Sequence, residues 1–186
     1  RELGHIDILV NNAAQPGSVL PSARLGEITG DHFWPDMNTK VMGYLRCARE
    51  AAPYMLQGGW GRIINIGGLA ARQSGNTIGS MRNVAVVAMA KNLADELGPK
   101  GINVTVVHPG AVRTERTGMN IQTQARLLGI TPEEIERRIR ESNSVRRIID
   151  STELAYIVAF LASPKSIAIN GDVIAAGGGI PRGIHY

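Results

Sequence analysis

The chain has 186 residues, 44% of them hydrophobic and 19% charged, with a formal net charge of +4. That is enough chain to enclose one core, so the expectation is a single domain over 1–186, and the composition is that of an ordinary globular protein. No apolar run reaches the roughly 18 residues of a membrane helix, which excludes a helical membrane partner role.

Taken in chain order, Ile6 to Val10 reads as a continuous apolar strand interrupted only by Asp7, with Asn11-Asn12 as the turn after it. Such strands suit a parallel sheet covered on both faces. Gln15 to Gly30 is rich in Gly, Pro and Ser and reads as loop. A helix is expected from Asp31, as N-cap, to Gln57, with Gly58-Gly59 as its stop and Pro35 marking a break. Cys47 lies on that helix as the only cysteine, so no internal disulfide is possible. The expectation is a buried structural thiol and a reducing cytoplasm.

Arg62 to Ile66 predicts the second strand, Gly67 to Gly79 a loop, and Ser80 to Leu97 a helix stopped by Gly98-Pro99. That helix is apolar nearly all round, the pattern of an element buried between a sheet and a partner. Ile102 to Val107 predicts the third strand. Thr114 to Ser144 is a polar insertion with a helix start at Thr131-Pro132-Glu133-Glu134. The arginines that follow (Arg137, Arg138, Arg140, Arg146, Arg147) alternate with Glu133, Glu134, Glu136 and Glu141. This is a solvated helix face rather than a nucleic-acid patch, and 4% aromatics supply few stacking platforms. Ser151 or Thr152 caps a last helix to Ala162, and Asp172 to Ala176 is the last strand. Strands separated by helices imply an α/β fold with a doubly wound parallel sheet.

Five segments in this order resemble the short-chain dehydrogenase/reductase family. Asn11-Asn12-Ala13-Ala14 is similar to its NNAG turn, and Asn65 closes the strand before its serine loop. Pro109-Gly110 with Thr114 resembles its PGxxxT segment. Ser151 to Ala155 with Phe160 to Ser163 resembles its late PEEVA…FLAS helix, and Gly171 to Gly178 its final strand. The resemblance implies the C-terminal portion of a Rossmann-like sheet and NAD or NADP as cofactor. It implies cofactor contacts from Asn11, Ala13, Asn65, Pro109, Gly110 and Thr114, each of which also serves turn chemistry. It further implies a homodimer or homotetramer built on the two long helices and a small-molecule substrate; His5, His32 and His185 show no ligand spacing, so no metal is expected.

Two departures qualify it. The glycine-rich turn that holds a dinucleotide pyrophosphate between a strand and a helix does not occur in the chain. The chain opens on Arg1 in mid-pattern and reads as part of something longer, beginning just before the family's fourth strand and leaving Ile6 to Val10 as an uncovered edge. Second, the catalytic set is replaced. Alignment through Lys91-Asn92-Leu93-Ala94 puts Gly79 at the family's tyrosine and Asn83 at its lysine. Gly68 falls at its serine, and Lys40 at its asparagine, with Asn38 as a rival two residues away.

Glycine carries no proton, so among these positions only Lys40 is a plausible actor. It reads either as an ammonium in the old site or as a surface lysine on an amphipathic helix. Ser80 reads as a helix cap and Arg82 as a polar flank of Gly79. His108 reads as a hydrogen-bonded turn histidine or a strand-end site residue. Tyr44, Tyr54 and Tyr156 are expected too far away to substitute, and Tyr186 could reach a site only in an oligomer. The function expected is a divergent NAD(P)-dependent oxidoreductase. The alternatives are a non-catalytic cofactor-binding or oligomer-forming member and an inert fragment.

Overall fold

A computed structural model describes residues 4–15 and 23–181; the readings placed on Tyr186 and on the middle of the 15–30 loop lie outside the described residues. Four strands form one parallel sheet in the order β1-β2-β3-β6. They are β1 (Ile8–Asn11), β2 (Gly61–Ile66), β3 (Ile102–Pro109) and β6 (Val173–Ala176). Alternation along the strands sends Ile63, Val104 and Val106 to one face and Ile64, Ile66 and Val107 to the other. The first face is covered by α2 (Gly43–Gly58) and α3 (Thr77–Leu97) through Tyr44, Ala48, Met55, Val86, Ala90 and Ala94. The second is covered by α6 (Ser151–Ala162) through Leu161, Ile157 and Val158. This is the expected doubly wound sheet.

The long helix expected over Asp31–Gln57 is three pieces. α1 (Gly30–Asp36) contains Pro35, a wide π-helical turn spans Met37–Met42, and α2 follows. Proline removes a backbone donor and crowds the preceding turn, and the ladder re-forms in a wider turn just beyond it. The N-cap is Thr29, with Asp31 already in the first turn.

Other boundaries shift for similar local reasons. Asn11 is the last strand residue rather than a turn residue. α3 begins earlier than expected because Asn76, not Ser80, caps it, its side-chain oxygen accepting from the Gly79 amide at 2.8 Å. Asp150 with Glu153 forms the capping box of α6, displacing Ser151 and Thr152 into the helix. The polar insertion holds two helices, α4 (Thr117–Leu128) and α5 (Pro132–Glu141), packed through Ile121, Ala125 and Ile135. A short parallel pair, β4 (Val112–Arg113) with β5 (Ile149–Asp150), ties the insertion to the sheet end.

One burial expectation fails. Cys47 is exposed, because α2 turns it away from the sheet while Tyr44, Ala48 and Ala51 face inward. α3 buries only the stripe Gly79, Asn83, Val86, Ala90, Ala94 and Leu97, leaving Met81 and Val84 half exposed.

Candidate active site

In a parallel sheet all strands end on the same side, and ligands of open α/β sheets gather there. Asn11, Gly67, Pro109 and Ala176 mark that edge. Gly67 and Gly68 form the turn after β2 and border a cleft of about 360 Å³. Its wall also includes Arg82, Asn83, Pro109, Gly110 and Asn143.

The helix that carries the wide turn faces this edge with residues four apart: Asp36, Lys40 and Tyr44. Lys40 Nζ donates to the Gly67 carbonyl at 3.0 Å, and the Tyr44 hydroxyl donates to the Ile66 carbonyl at 3.0 Å. Asp36 accepts from Arg82 Nη1 on α3. Lys40 is 4% exposed, so the reading as a surface lysine is wrong. Burial, then the Arg82 guanidinium, lowers its pKa to about 8, with Asp36 pulling the other way. Near neutral pH it remains largely an ammonium, poised to release its proton.

Tyr44 corrects a second expectation. It lies beside the site rather than far along the helix, but its hydroxyl is buried, committed to Ile66 and pushed upward in pKa by desolvation. Its phenol is a backbone clamp, not an acid.

The replaced positions fit one another. His108 Nδ1 accepts from the Gly68 amide at 3.0 Å. The ring is 1% exposed, and a side chain begun at Gly67 would meet Nδ1 at 2.3 Å. One begun at Gly68 would meet Asn83 Nδ2 at 3.1 Å. At Gly79, the residue expected from the sequence at the family's tyrosine position, a Cβ would run into the capping Asn76 side chain at 2.9 Å. Asn83 itself donates from Nδ2 to the Gly79 carbonyl at 2.8 Å, while its Oδ1 is buried with no partner among the described residues.

Burial, then Arg72 and Lys40, holds His108 down to about 4. The ring is therefore neutral in the fold, with Nδ1 as acceptor. In the unfolded chain it takes a proton below its ordinary 6.5. His108 therefore supports the fold fully above pH 6.5, and that support is lost as pH falls through about 4. The full loss is about 3 kcal/mol. Urea melts between these pH values are expected to show it, and a His108→Asn variant should flatten the curve; an unchanged slope would remove His108 from the account.

The expected cofactor residues divide. Asn11 Nδ2 donates to Asn65 Oδ1 at 2.9 Å, so the two amides join neighbouring strand ends and both are buried. Pro109 and Gly110 line the cleft. Ala13 and Thr114 are exposed, and the Thr114 amide donates to the Thr117 hydroxyl at 2.8 Å. Asn38 bonds Arg46 on the exposed side, which leaves Lys40 as the residue facing the turn. Ser80 donates to the Gln73 carbonyl. No cluster of three or more potential metal ligands exists among the described residues.

A family profile described as enoyl-(acyl carrier protein) reductase matches residues 1–181. The chain belongs to the short-chain dehydrogenase/reductase family. Among this family, the chain is 32% identical over 182 residues to the short-chain reductase protein NovJ of Streptomyces niveus. That match covers 97% of the chain and 66% of NovJ, so the chain spans just under two thirds of that relative's length. It is 28% identical to the NADPH-dependent reductase BacG of Bacillus subtilis, over 98% of the chain and 70% of BacG. The crystal structure of YwfH, an NADPH-dependent reductase involved in bacilysin biosynthesis, superposes with a TM-score of 0.86 at 28% identity. That superposition covers 98% of this chain and 70% of YwfH. As a member of the family, the chain keeps the scaffold and fills the site with Lys40, Arg82, Asn83 and His108. Sequence reasoning weighed all four, but assigned Asp36 and Tyr44 no part. The signal for them was the four-residue spacing of Asp36, Lys40 and Tyr44 behind Pro35.

Proposed function

We propose that the complete protein is an NADP- or NAD-dependent carbonyl reductase with a divergent site in which Lys40 replaces the family's tyrosine as proton source. The observation that carries this reading is the buried Lys40 ammonium, with its lowered pKa, at the turn where the family places its serine. The NADPH dependence of BacG and YwfH favours NADP.

The residues present fit the ribose–nicotinamide half of such a cofactor. The orphaned Asn83 Oδ1 is an acceptor in want of a donor, which a ribose hydroxyl is, and it stands in the cleft with Pro109 and Gly110. Asn11, Ala13, Asn65 and Thr114 would flank it along the strand ends. When bound, the dinucleotide supplies the hydride that adds to the carbonyl carbon. The oxygen then takes a proton that originates on Lys40 and reaches it through water, since Lys40 lies behind Gly67 rather than on the cleft wall. Solvent returns the proton to Lys40. Screening the complete protein with NADPH and NADH against a carbonyl panel tests this; no turnover with either would contradict it.

A second reading is a non-catalytic member that binds the cofactor or assembles. It is favoured by the Asn76 cap closed over Gly79 and by the engagement of Lys40 with a backbone carbonyl. Cofactor binding does not separate the two; turnover does. In either reading we place the protein in the cytoplasm; among the described residues no helix is long and apolar enough to cross a membrane. We also expect a homodimer or homotetramer through α2 and α3, where Leu45, Tyr54, Met81 and Val84 are exposed. Light scattering at micromolar concentration should give at least a dimer; a monomer alone would contradict it.

A further inference from the structure

We propose that the cleft selects carbonyl substrates that also carry a carboxylate, and that Arg82 is the residue that receives it. This rests on the reductase reading for the reaction, but not for the anion site itself.

An arginine presents donors along two edges, and the edge formed by Nε and Nη2 matches the two oxygens of a carboxylate. This chain uses that edge elsewhere: Arg137 donates from Nε and Nη2 to the two oxygens of Glu134, each at 2.8 Å. Arg82 is held differently. Asp36 takes Nη1 alone, which anchors the guanidinium and leaves the Nε–Nη2 edge uncommitted among the described residues. Nε is buried with no partner among the described residues. A guanidinium with 18% of its side chain exposed is costly to leave half-satisfied, and a bidentate anion is the ligand that completes it.

Charge points the same way. Lys40, Arg72 and Arg82 gather about the Gly67–Gly68 turn, with Asp36 paired to Arg82 and acting on Lys40. Arg82 is the charged side chain on the cleft wall, which is otherwise glycine backbone, apolar residues, neutral amides and the Ser142 hydroxyl. At about 360 Å³, shared with the cofactor's ribose and nicotinamide, the cleft leaves room for a small oxo acid rather than a bulky partner.

The test uses oxamate, a carboxylate probe that hydride does not reduce, and its neutral ethyl ester, titrated calorimetrically into the complete protein. Oxamate should bind at least about tenfold more tightly than the ester, with the difference shrinking as salt rises. Arg82→Gln should erase the difference and Arg82→Lys retain part of it. Asp36→Asn keeps the guanidinium and removes the competing carboxylate, so it should bind oxamate at least as tightly as wild type. Equal binding of acid and ester to the wild-type protein overturns the proposal, as does an Arg82→Gln protein that melts normally and keeps the preference. If Arg82→Gln does not fold, the wild-type acid-to-ester comparison and Asp36→Asn decide. Selective oxamate binding without reduction of any carbonyl would sink the reductase reading and leave the anion site. Reduction of esters as readily as acids would do the reverse.

Discussion

Lys40→Ala is expected to lower carbonyl turnover of the complete protein by about 10²–10⁴-fold, the usual worth of a positioned acid. The loss should fall on kcat more than on KM, because the ammonium acts on the developing alkoxide rather than on the bound carbonyl. The pH dependence has a definite sign. Reduction needs the protonated form, so wild-type turnover should fall as pH rises through about 8, the value to which burial and Arg82 bring Lys40. Stability runs the opposite way. The unfolded lysine holds its proton to 10.5, so the buried ammonium costs the fold below about 8, and that cost fades toward 10.5. Lys40→Met removes the charge along with the bond to Gly67, and its stability should lose this alkaline rise. Loss of activity together with gross unfolding would mean that Lys40 is only a clamp on the turn.

Gly67→Ala is expected to cost the fold about 3 kcal/mol. The new methyl would sit 2.3 Å from His108 Nδ1 and 2.6 Å from Cε1, with Val106 at 3.1 Å behind. His108 cannot swing aside, since it is fully enclosed and its Nδ1 holds the Gly68 amide. Gly68→Ala is the control. Its nearest neighbour is the terminal amide of Asn83 at 3.1 Å, which can shift, and the cost should stay below about 1 kcal/mol. Chemical denaturation of both variants checks the ranking. A Gly67→Ala/His108→Ala double variant should regain part of the loss, the mark of direct coupling. Equal stability of the two single variants would contradict the packing described.

These two results bear on how the site came to be legible. The sheet was readable because runs dense in β-branched residues, such as RIINI and INVTVV, have few other uses. The helices were readable to within a turn, and the errors trace to caps. Asn76 and Asp150 lie outside the apolar pattern, and a cap is decided by which side chain reaches the first amides. The break at Pro35 was readable as a break but not as a wide turn, because proline specifies what is lost and not how the ladder re-forms. Burial of single residues was the least readable. Lys40 and Cys47 sit on one helical run, and a rotation introduced by the wide turn decides which faces the sheet.

Along the chain, Gly68, Gly79 and Asn83 were visible only as departures from the family pattern they resemble. Their mutual fit is a matter of space. Gly67 leaves room for His108, Gly68 stands against Asn83, and Asn76 closes over Gly79. Those contacts join residues far apart in sequence, which no local pattern encodes. They also oppose larger side chains: a tyrosine at Gly79 must first displace the cap, and a serine at Gly68 must move Asn83.

The most direct test of the Lys40 assignment is the pH profile of turnover, with NADPH or NADH, for the complete wild-type protein and its Lys40→Met variant from about pH 6 to about pH 10. The assignment predicts wild-type turnover that declines with an apparent pKa near 8, and a Lys40→Met profile that is low and flat across the range. Superimposable profiles for the two proteins, or no turnover of any carbonyl by the wild type, would contradict it.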